Sequence, residues 1–363
     1  MIKQIILKNY KSIKDATIDL GRINLLIGGN GAGKSNFISF FELLLAVYDQ
    51  RLRGYVLQRG GAKRLLYNGI KNSSEICATV NFDDKNALEL CLHSSAESNT
   101  LFIERIRDYF NGLGDHERKY SLWHSELWDS MCEESTLKAR ENLRVRYLKK
   151  YLTGLNVYHF HDTSRTAHMR SPGKILDCES LRDDASNLAA CINKMQINSP
   201  SNFLILEGVV RSIAPYFKCF KLTESPFDPS DIVLQWEAFG SDEYFDAFSF
   251  SDGTIRFIAL ATLLLQDNKP ATIIIDEPEL GLHPFAIVKL AALIRRAALE
   301  SQIIIASQST NLINQFNPED IIVVGRKENC STFNHLNKDE LDVWLEQYSL
   351  GDIWEKNLIG GAP

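Results

Sequence analysis

The sequence has no apolar run near the roughly 20 residues needed to cross a bilayer, so no membrane-spanning helix is read in it. It has no charged leader followed by an apolar stretch. Met1 runs straight into the strand-like IKQIIL, so no secretory signal is read and a cytoplasmic location without a membrane partner is expected. Its seven cysteines (Cys77, Cys91, Cys132, Cys178, Cys191, Cys219 and Cys330) include no C-x-x-C spacing. That predicts reduced, mostly buried thiols rather than a zinc or redox motif. Positive charge is not in excess: 40 Lys and Arg stand against 46 Asp and Glu, a net −6. The whole chain therefore has no general attraction to nucleic acid or membrane, although a local basic patch is not excluded. Internal repeats, low-complexity tracts and obvious flexible linkers are also missing.

What is present describes an ordinary globular protein. Of its 363 residues, 45% are apolar and 24% charged, enough to bury a core in one large or two medium domains. Residues 2–7 and 16–20 alternate as strands do. The apolar INLLI at 23–27 reads as a strand covered on both faces. A glycine-rich turn follows, then SNFISFFELLLAVY with helical spacing. Residues 75–105 break into EICATVNF, ALELCL and LFIERI, which suit an antiparallel sheet. The stretch 106–156 is rich in charge and aromatics, and 133–152 can be written as one amphipathic helix. Residues 180–220 also read as helical. From 248 onward helices alternate with strands (ATIIID, QIIIAS, DIIVVG), which implies a parallel sheet. Four regions follow: an N-terminal lobe at 1–105, a mainly helical insertion at 106–230, a C-terminal lobe at 231–330 and a tail at 331–363.

The strongest motif is Gly28-Gly29-Asn30-Gly31-Ala32-Gly33-Lys34-Ser35, a full match to G-x-x-x-x-G-K-[ST] between a strand and a helix. Glycines let the backbone curl so that its N–H groups face phosphates, and the following helix offers its N-terminus to the same charge. Gly28, Asn30, Gly31, Ala32, Gly33, Lys34, Ser35 and Asn36 are therefore the candidate ATP-binding residues. Lys34 would reach the β- and γ-phosphates, and the Ser35 hydroxyl would ligate Mg²⁺. The second motif ends a buried strand in Asp276-Glu277-Pro278. Asp276 would bind Mg²⁺, and Glu277 would act as general base on the attacking water. An acidic strand end alone is a common surface feature, but the phosphate loop gives this one a purpose.

The third motif, Phe250-Ser251-Asp252-Gly253-Thr254, opens a helix. It resembles the ABC signature L-S-G-G-Q, keeping Ser251 and Gly253 and departing at Phe250, Asp252 and Thr254. Asp252 sets a negative charge where a phosphate is expected, and a plain helix cap at Ser251 is the competing reading. Glu279-Leu280-Gly281-Leu282-His283-Pro284 resembles the D-loop of the same ATPases, while His283 reads equally as a loop histidine. QIIIASQS ends a strand where ABC proteins carry a switch histidine; Gln308 stands there instead. Glutamine donates a hydrogen bond but carries no charge and shuttles no proton, so slow hydrolysis is expected. Positioning of the water by Ser307 and Gln308 together is the other reading.

With these motifs the chain resembles the SMC/RecF-like branch of ABC-type ATPases, and within it the small stand-alone ATPases of AAA type. KNYKSIKD, LLIGGNGAGKSN, the FSDGT turn, IIIDEPELGLHP and IIIASQS carry the likeness, over about 1–45 and 248–326. GGAKRLLYNG, YHFHDTS and WLEQYSLGDIW are similar to the same group. The resemblance implies an α/β ABC-type ATPase head with a mixed, largely parallel core sheet, a flanking antiparallel sheet and a helical insertion. It implies ATP and Mg²⁺ as ligands, and an ATP-dependent homodimer, head to tail. Each site would take Lys34, Glu277 and Gln308 from one chain and Ser251 and Gly253 from the other. It also implies Lys11 or Lys14 near the adenine, and a Q-loop glutamine, for which Gln58 is a candidate. A head without an effector domain implies a separate partner such as a nuclease, with DNA repair or anti-phage defence as settings. A low-turnover, nucleotide-dependent scaffold or sensor clamp is the alternative.

Some signals keep two readings. His159, His161 and Asp162 suggest a metal or nuclease site, or else structural histidines on one strand face. Residues 51–64 hold five basic side chains and no acid. Residues 138–150 hold Lys138, Arg140, Arg144, Arg146, Lys149 and Lys150 against Glu141. Such runs grip a phosphate backbone of DNA or line a solvated face. Trp344 and Trp354 in the tail either dock a partner or pack a terminal helix.

Overall fold

The structure is a computed structural model that describes residues 1–95, 99–111, 124–141 and 143–361. In chain order the described elements begin with β1 (Gln4–Tyr10), β2 (Ile13–Asp19), β3 (Ile23–Ile27), α1 (Lys34–Tyr48), α2 (Leu52–Gln58) and α3 (Ala62–Leu65). Next come β4 (Glu75–Asn81), β5 (Asn86–Ser95), β6 (Thr100–Phe110), β7 (His124–Cys132), α4 (Leu143–Thr153), β8 (Leu155–Tyr158) and β9 (Gly173–Lys174). Then follow α5 (Leu188–Asn198), α6 (Pro200–Ile213), β10 (Phe217–Glu224), β11 (Asp231–Ala238), β12 (Tyr244–Asp246) and α7 (Asp252–Leu265). The chain closes with β13 (Thr272–Asp276), α8 (Pro284–Ala297), β14 (Gln302–Ser307), α9 (Thr310–Ile313), β15 (Ile321–Lys327), β16 (Cys330–His335), α10 (Lys338–Leu345) and α11 (Leu350–Glu355). The chain divides into two compact units, residues 1–155 with 317–363, and residues 156–316.

In the first unit, six strands form an antiparallel sheet in the order β2-β1-β4-β5-β6-β7. β3 pairs parallel to β15, which pairs antiparallel to β16. The helix α1 packs Phe37, Phe40 and Phe41 into the core, each with no exposed surface. Phe37 meets Phe333 of β16 at a centroid distance of 5.5 Å, so a residue far along the chain seals the helix after the phosphate loop. The two cysteines Cys77 and Cys91 are direct cross-strand partners of β4 and β5 and form a disulfide. This corrects the expectation of seven reduced thiols. Strand register, not local spacing, brings the pair together.

In the second unit, β13 and β14 run parallel, with β8 beside β13. Ile273, Ile274 and Ile275 lie opposite Ile303, Ile304 and Ile305, and all six are buried. A continuous apolar run of this kind belongs to a strand covered on both faces. β10, β11 and β12 form an antiparallel sheet with β11 in the middle, and the short β9 pairs with the start of β11 at Asp231 and Ile232. Trp236 of β11 stacks on Phe250, 4.9 Å between centroids, just ahead of α7.

The region expected to be mainly helical contains strands as well. β6 runs on to Phe110 and β7 follows at 124–132, and β10 begins at Phe217. The single helix expected at 133–152 is replaced by a short turn at 137–139 and by α4; residue 142 lies outside the described residues. The cause is local competition for hydrogen bonds. Asp129 accepts from the Thr136 amide at 2.8 Å and the Ser135 hydroxyl at 2.9 Å, while Glu134 accepts from the Leu52 and Arg53 amides, both at 3.0 Å. Among the described residues no helix is long and apolar enough to cross a membrane.

Candidate functional site

The phosphate loop spans 28–33, between β3 and α1 in the first unit. Gly33 has a φ of 123° and Gly31 a φ of 75°, conformations that favour glycine. A β-carbon on Gly28 would overlap the Val324 carbonyl, and one on Gly33 would overlap the Ser331 hydroxyl. Lys34 is 5% exposed, with its ammonium donating to the carbonyls of Gly28 (2.5 Å) and Gly29 (3.2 Å). Ser35 faces solvent in the first turn of α1. Asn36 is turned sideways, its amide donating to Ser12 Oγ at 2.7 Å. The N-terminus of α1 has neither a side-chain cap nor an acid in its first turn. The first-turn N–H groups and the positive dipole end of a helix suit an anion.

The acids lie in the second unit, where β13 ends in Asp276. Glu277 takes a φ of 47°, rare for a non-glycine residue. Its amide donates to the Ala306 carbonyl at 2.9 Å, which holds the bend. Gln308 Nε2 donates to Glu277 Oε1 at 3.0 Å, so the residue in the switch position grips the candidate base. Glu279, which carried no role in the sequence, braces the same corner. Its Oε1 accepts from Ser307 Oγ at 2.6 Å and from the Gln308 amide at 3.2 Å. Burial pushes the Glu279 carboxyl above its ordinary pKa.

The signature opens α7 in the same unit. Ser251 is the N-cap, accepting from the Thr254 amide at 3.2 Å, as the cap reading expects. Asp252 is met by Arg170, whose Nη2 donates to Oδ1 at 2.9 Å. The same guanidinium donates to the carbonyls of Thr163 (3.1 Å), Ala247 (2.7 Å) and Phe250 (2.9 Å). The charge of Asp252 is therefore balanced within its own unit. Gly253 lies against the Gly281 carbonyl, 2.5 Å from where a β-carbon would stand. Only glycine lets the signature and the D-loop approach this closely. A cavity of about 350 Å³ opens beside Ser251, Gly253, Gly281 and His283. His283 caps α8, its Nδ1 accepting from the Phe285 amide at 3.2 Å, which is a structural role.

A family model described as "AAA domain, putative AbiEii toxin, Type IV TA system" matches residues 23–314. The chain belongs to this family. Among solved structures it is similar to an SMC head bound to the C-winged helix domain of ScpA. The TM-score is 0.61 at 17% identity, covering 93% of this chain and 99% of that one. It is also similar to an SMC head with an extended coiled coil bound to the C-terminal domain of ScpA, derived from Pyrococcus furiosus. There the TM-score is 0.56 at 16% identity, covering 95% of this chain and 98% of that one. A search of curated proteins finds no match. The fold is that of an SMC-type ABC ATPase head, and the family is one of AAA ATPase domains.

Other residues singled out in this AAA-family chain fall in several places. Gln58 ends α2 and is exposed, and Lys14 is exposed on β2. Lys11 is half-buried, its ammonium donating to Ser39 Oγ at 2.7 Å, and burial together with Arg59 pulls it down to about 8. It lines a first-unit cavity of about 730 Å³ with Arg59, Lys63, Arg64 and Arg326, beside Ser12 and Asn36. Among the described residues no carboxylate lines that cavity. In the second basic run Lys138 pairs with Asp49 at 2.7 Å and Arg144 with Asp108 at 2.8 Å, while Arg146 and Lys150 are exposed.

His159 and His161 share a face, 6.1 Å between ring centroids. Among the described residues no group of three metal-ligating side chains forms, so the metal reading of His159, His161 and Asp162 gathers no ligand set. Arg256 instead ties this segment to the D-loop. It donates to the carbonyls of Phe160 (2.8 Å), His161 (2.9 Å) and Leu280. Burial holds the His161 imidazole below its ordinary pKa, against the raising pull of Asp276. Trp344 is half-exposed, whereas Trp354 is fully buried in the tail. Glu279, Arg170 and Arg256 were missed by sequence reasoning, because their partners lie up to 96 residues away and form no local motif.

Proposed function

We propose that this chain binds and hydrolyses ATP as an ABC-type head that dimerises around nucleotide, head to tail. Lys34, Gly28, Asn30, Gly31, Ala32, Gly33, Ser35 and Asn36 hold the triphosphate. Glu277, gripped by Gln308, orients the attacking water and takes its proton. Ser251 and Gly253 serve the nucleotide of the partner copy. Ser35 and Asp276 are hard oxygen donors, the ligand chemistry that suits Mg²⁺, and are the residues that would hold it. Bound there, the ion would neutralise charge on the β- and γ-phosphate oxygens. The observation that carries the reading is the Glu277 corner, where a rare backbone conformation and a side-chain hydrogen bond fix one carboxylate. Strained residues of this kind cluster at functional sites.

The head drives a process on DNA or through a separate nuclease, in DNA repair or anti-phage defence, in the cytoplasm. The five-cation cavity beside the phosphate loop supports a polyanionic partner. The SMC heads of similar fold, bound to parts of ScpA, offer a precedent for a separate protein partner. The test is the mass of Glu277→Gln in solution with ATP. A dimer that forms with ATP, and is lost in Ser251→Arg, is expected; a monomer at saturating ATP contradicts the reading. A second reading, a clamp that closes on ATP and turns over little, is favoured by Gln308, which cannot carry a proton. It wins if wild type dimerises with ATP yet hydrolyses it no faster than Glu277→Gln.

A further inference from the structure

We propose that Ser331 and Gly361, in the C-terminal segment, are positioning residues of the phosphate loop and so set the affinity for ATP; this rests on the ATP-binding reading above. Both belong to the first unit, as does the loop. Neither lies in a recognised nucleotide motif. The Gly361 carbonyl accepts from the Gly29 amide at 2.9 Å. The same carbonyl accepts from Trp354 Nε1 at 2.9 Å. Trp354 is 1% exposed on α11, a helix closed at its N-terminus by a reciprocal cap between Ser349 and Asp352. Gly361 itself has a φ of 65°, and a β-carbon there would come within 2.7 Å of Val323 Cγ1 and 3.0 Å of the Val324 carbonyl. The tail is thus seated against β15 by a residue that must be glycine, and its carbonyl is aimed by a buried indole.

The consequence follows from peptide geometry. In a trans peptide the N–H and the preceding C=O point in opposite directions. Fixing the Gly29 N–H on Gly361 therefore fixes the Gly28 carbonyl, which points the opposite way within the same plane. That carbonyl accepts from the Lys34 ammonium at 2.5 Å. One rigid plane links Trp354 and Gly361 to the lysine meant for the β- and γ-phosphates.

Ser331 does the equivalent at the other end of the loop. Its hydroxyl, on a residue 3% exposed, donates to the Ala32 carbonyl at 2.6 Å. The N–H of Gly33, in the same peptide plane, is thereby turned away from Ser331. Ser331 is itself anchored, its amide donating to the Ser12 carbonyl at 2.8 Å and its hydroxyl meeting Ser12 Oγ at 2.7 Å. Ser12 Oγ also accepts from Asn36, so the grip reaches the first turn of α1. The loop is held from behind at both ends by chain that lies some 300 residues downstream.

The experiment compares the full chain with Ser331→Ala, Trp354→Phe and a chain ending at Lys356, which keeps α11 but lacks Gly361. Three readouts are taken: ATP affinity by titration, melting temperature, and amide exchange of residues 28–34. We expect the Ser331→Ala and shortened chains to bind ATP about tenfold more weakly, the loss of one well-made hydrogen bond. Trp354→Phe should fall between them and wild type. Exchange over 28–34 should rise in all three. Unchanged ATP affinity, within twofold, with a lowered melting temperature would overturn the proposal and leave the tail as packing. If the shortened chain does not fold, the two point variants decide by the same readouts. If the full chain binds no ATP, the ATP reading has failed, and exchange over 28–34 alone decides whether the clasp exists.

Discussion

Glu277 sits in a left-handed backbone conformation at a strand end, and Gln308 donates to its carboxylate. Replacing the carboxylate by an amide keeps the shape and removes the proposed base. Glu277→Gln should lower the turnover rate by about a hundredfold or more, with ATP affinity unchanged, in a steady-state phosphate-release assay. Gln308→Ala frees the carboxylate without removing it, so a smaller loss, roughly tenfold, is expected in the same assay. Lys11 offers a test by pH. Its folded pKa, about 8, lies below its ordinary value of 10.5, so the unfolded chain holds the extra proton between those limits. Stability should rise as pH climbs from 8 to 10.5, by on the order of 1 kcal/mol after solvent screening. Lys11→Met should flatten that slope in urea unfolding followed across this range; an unchanged slope contradicts it. The acids and Lys34 were legible because their motifs are contiguous. Glu279, Arg170 and Ser331 were not, because each acts on a backbone group that only the fold brings near.

Among elements, α7 depends on a residue outside itself. Arg170 satisfies three carbonyls and the Asp252 charge at the helix entrance. Arg170→Ala should lower stability by about 3 kcal/mol, since buried acceptors lose their donor, and chemical unfolding checks it. It should also weaken ATP-dependent dimerisation, because Asp252 would then repel phosphate. Arg170→Lys should recover only part, as an ammonium cannot reach the same fork of acceptors. The strands β3, β13 and β14 and the helices α1, α7 and α8 were readable because each buries a continuous or periodic apolar surface. Only the second half of the helix expected over 133–152 forms, as α4; at its start Asp129 claims the Thr136 amide and Glu134 turns away to the amides of Leu52 and Arg53. The Cys77–Cys91 disulfide was equally invisible, since it depends on the register of β4 against β5.

For the whole molecule, a family match over residues 23–314 and the fold of an SMC-type ATPase head agree with the order of the motifs. Sequence carried the two ends of the chain well, since both are built from motif-bearing α/β units. It carried the middle poorly, where strands and helices mix without a period to separate them. The central claim is that Lys34 binds ATP and Glu277 turns it over. The most direct measurement is radiolabelled ATP binding and phosphate release by wild type, Lys34→Ala and Glu277→Gln, side by side with Mg²⁺. The account predicts that wild type binds and hydrolyses, Lys34→Ala does neither, and Glu277→Gln binds without hydrolysing. ATP binding that survives Lys34→Ala unchanged, or phosphate release equal in wild type and Glu277→Gln, would contradict it.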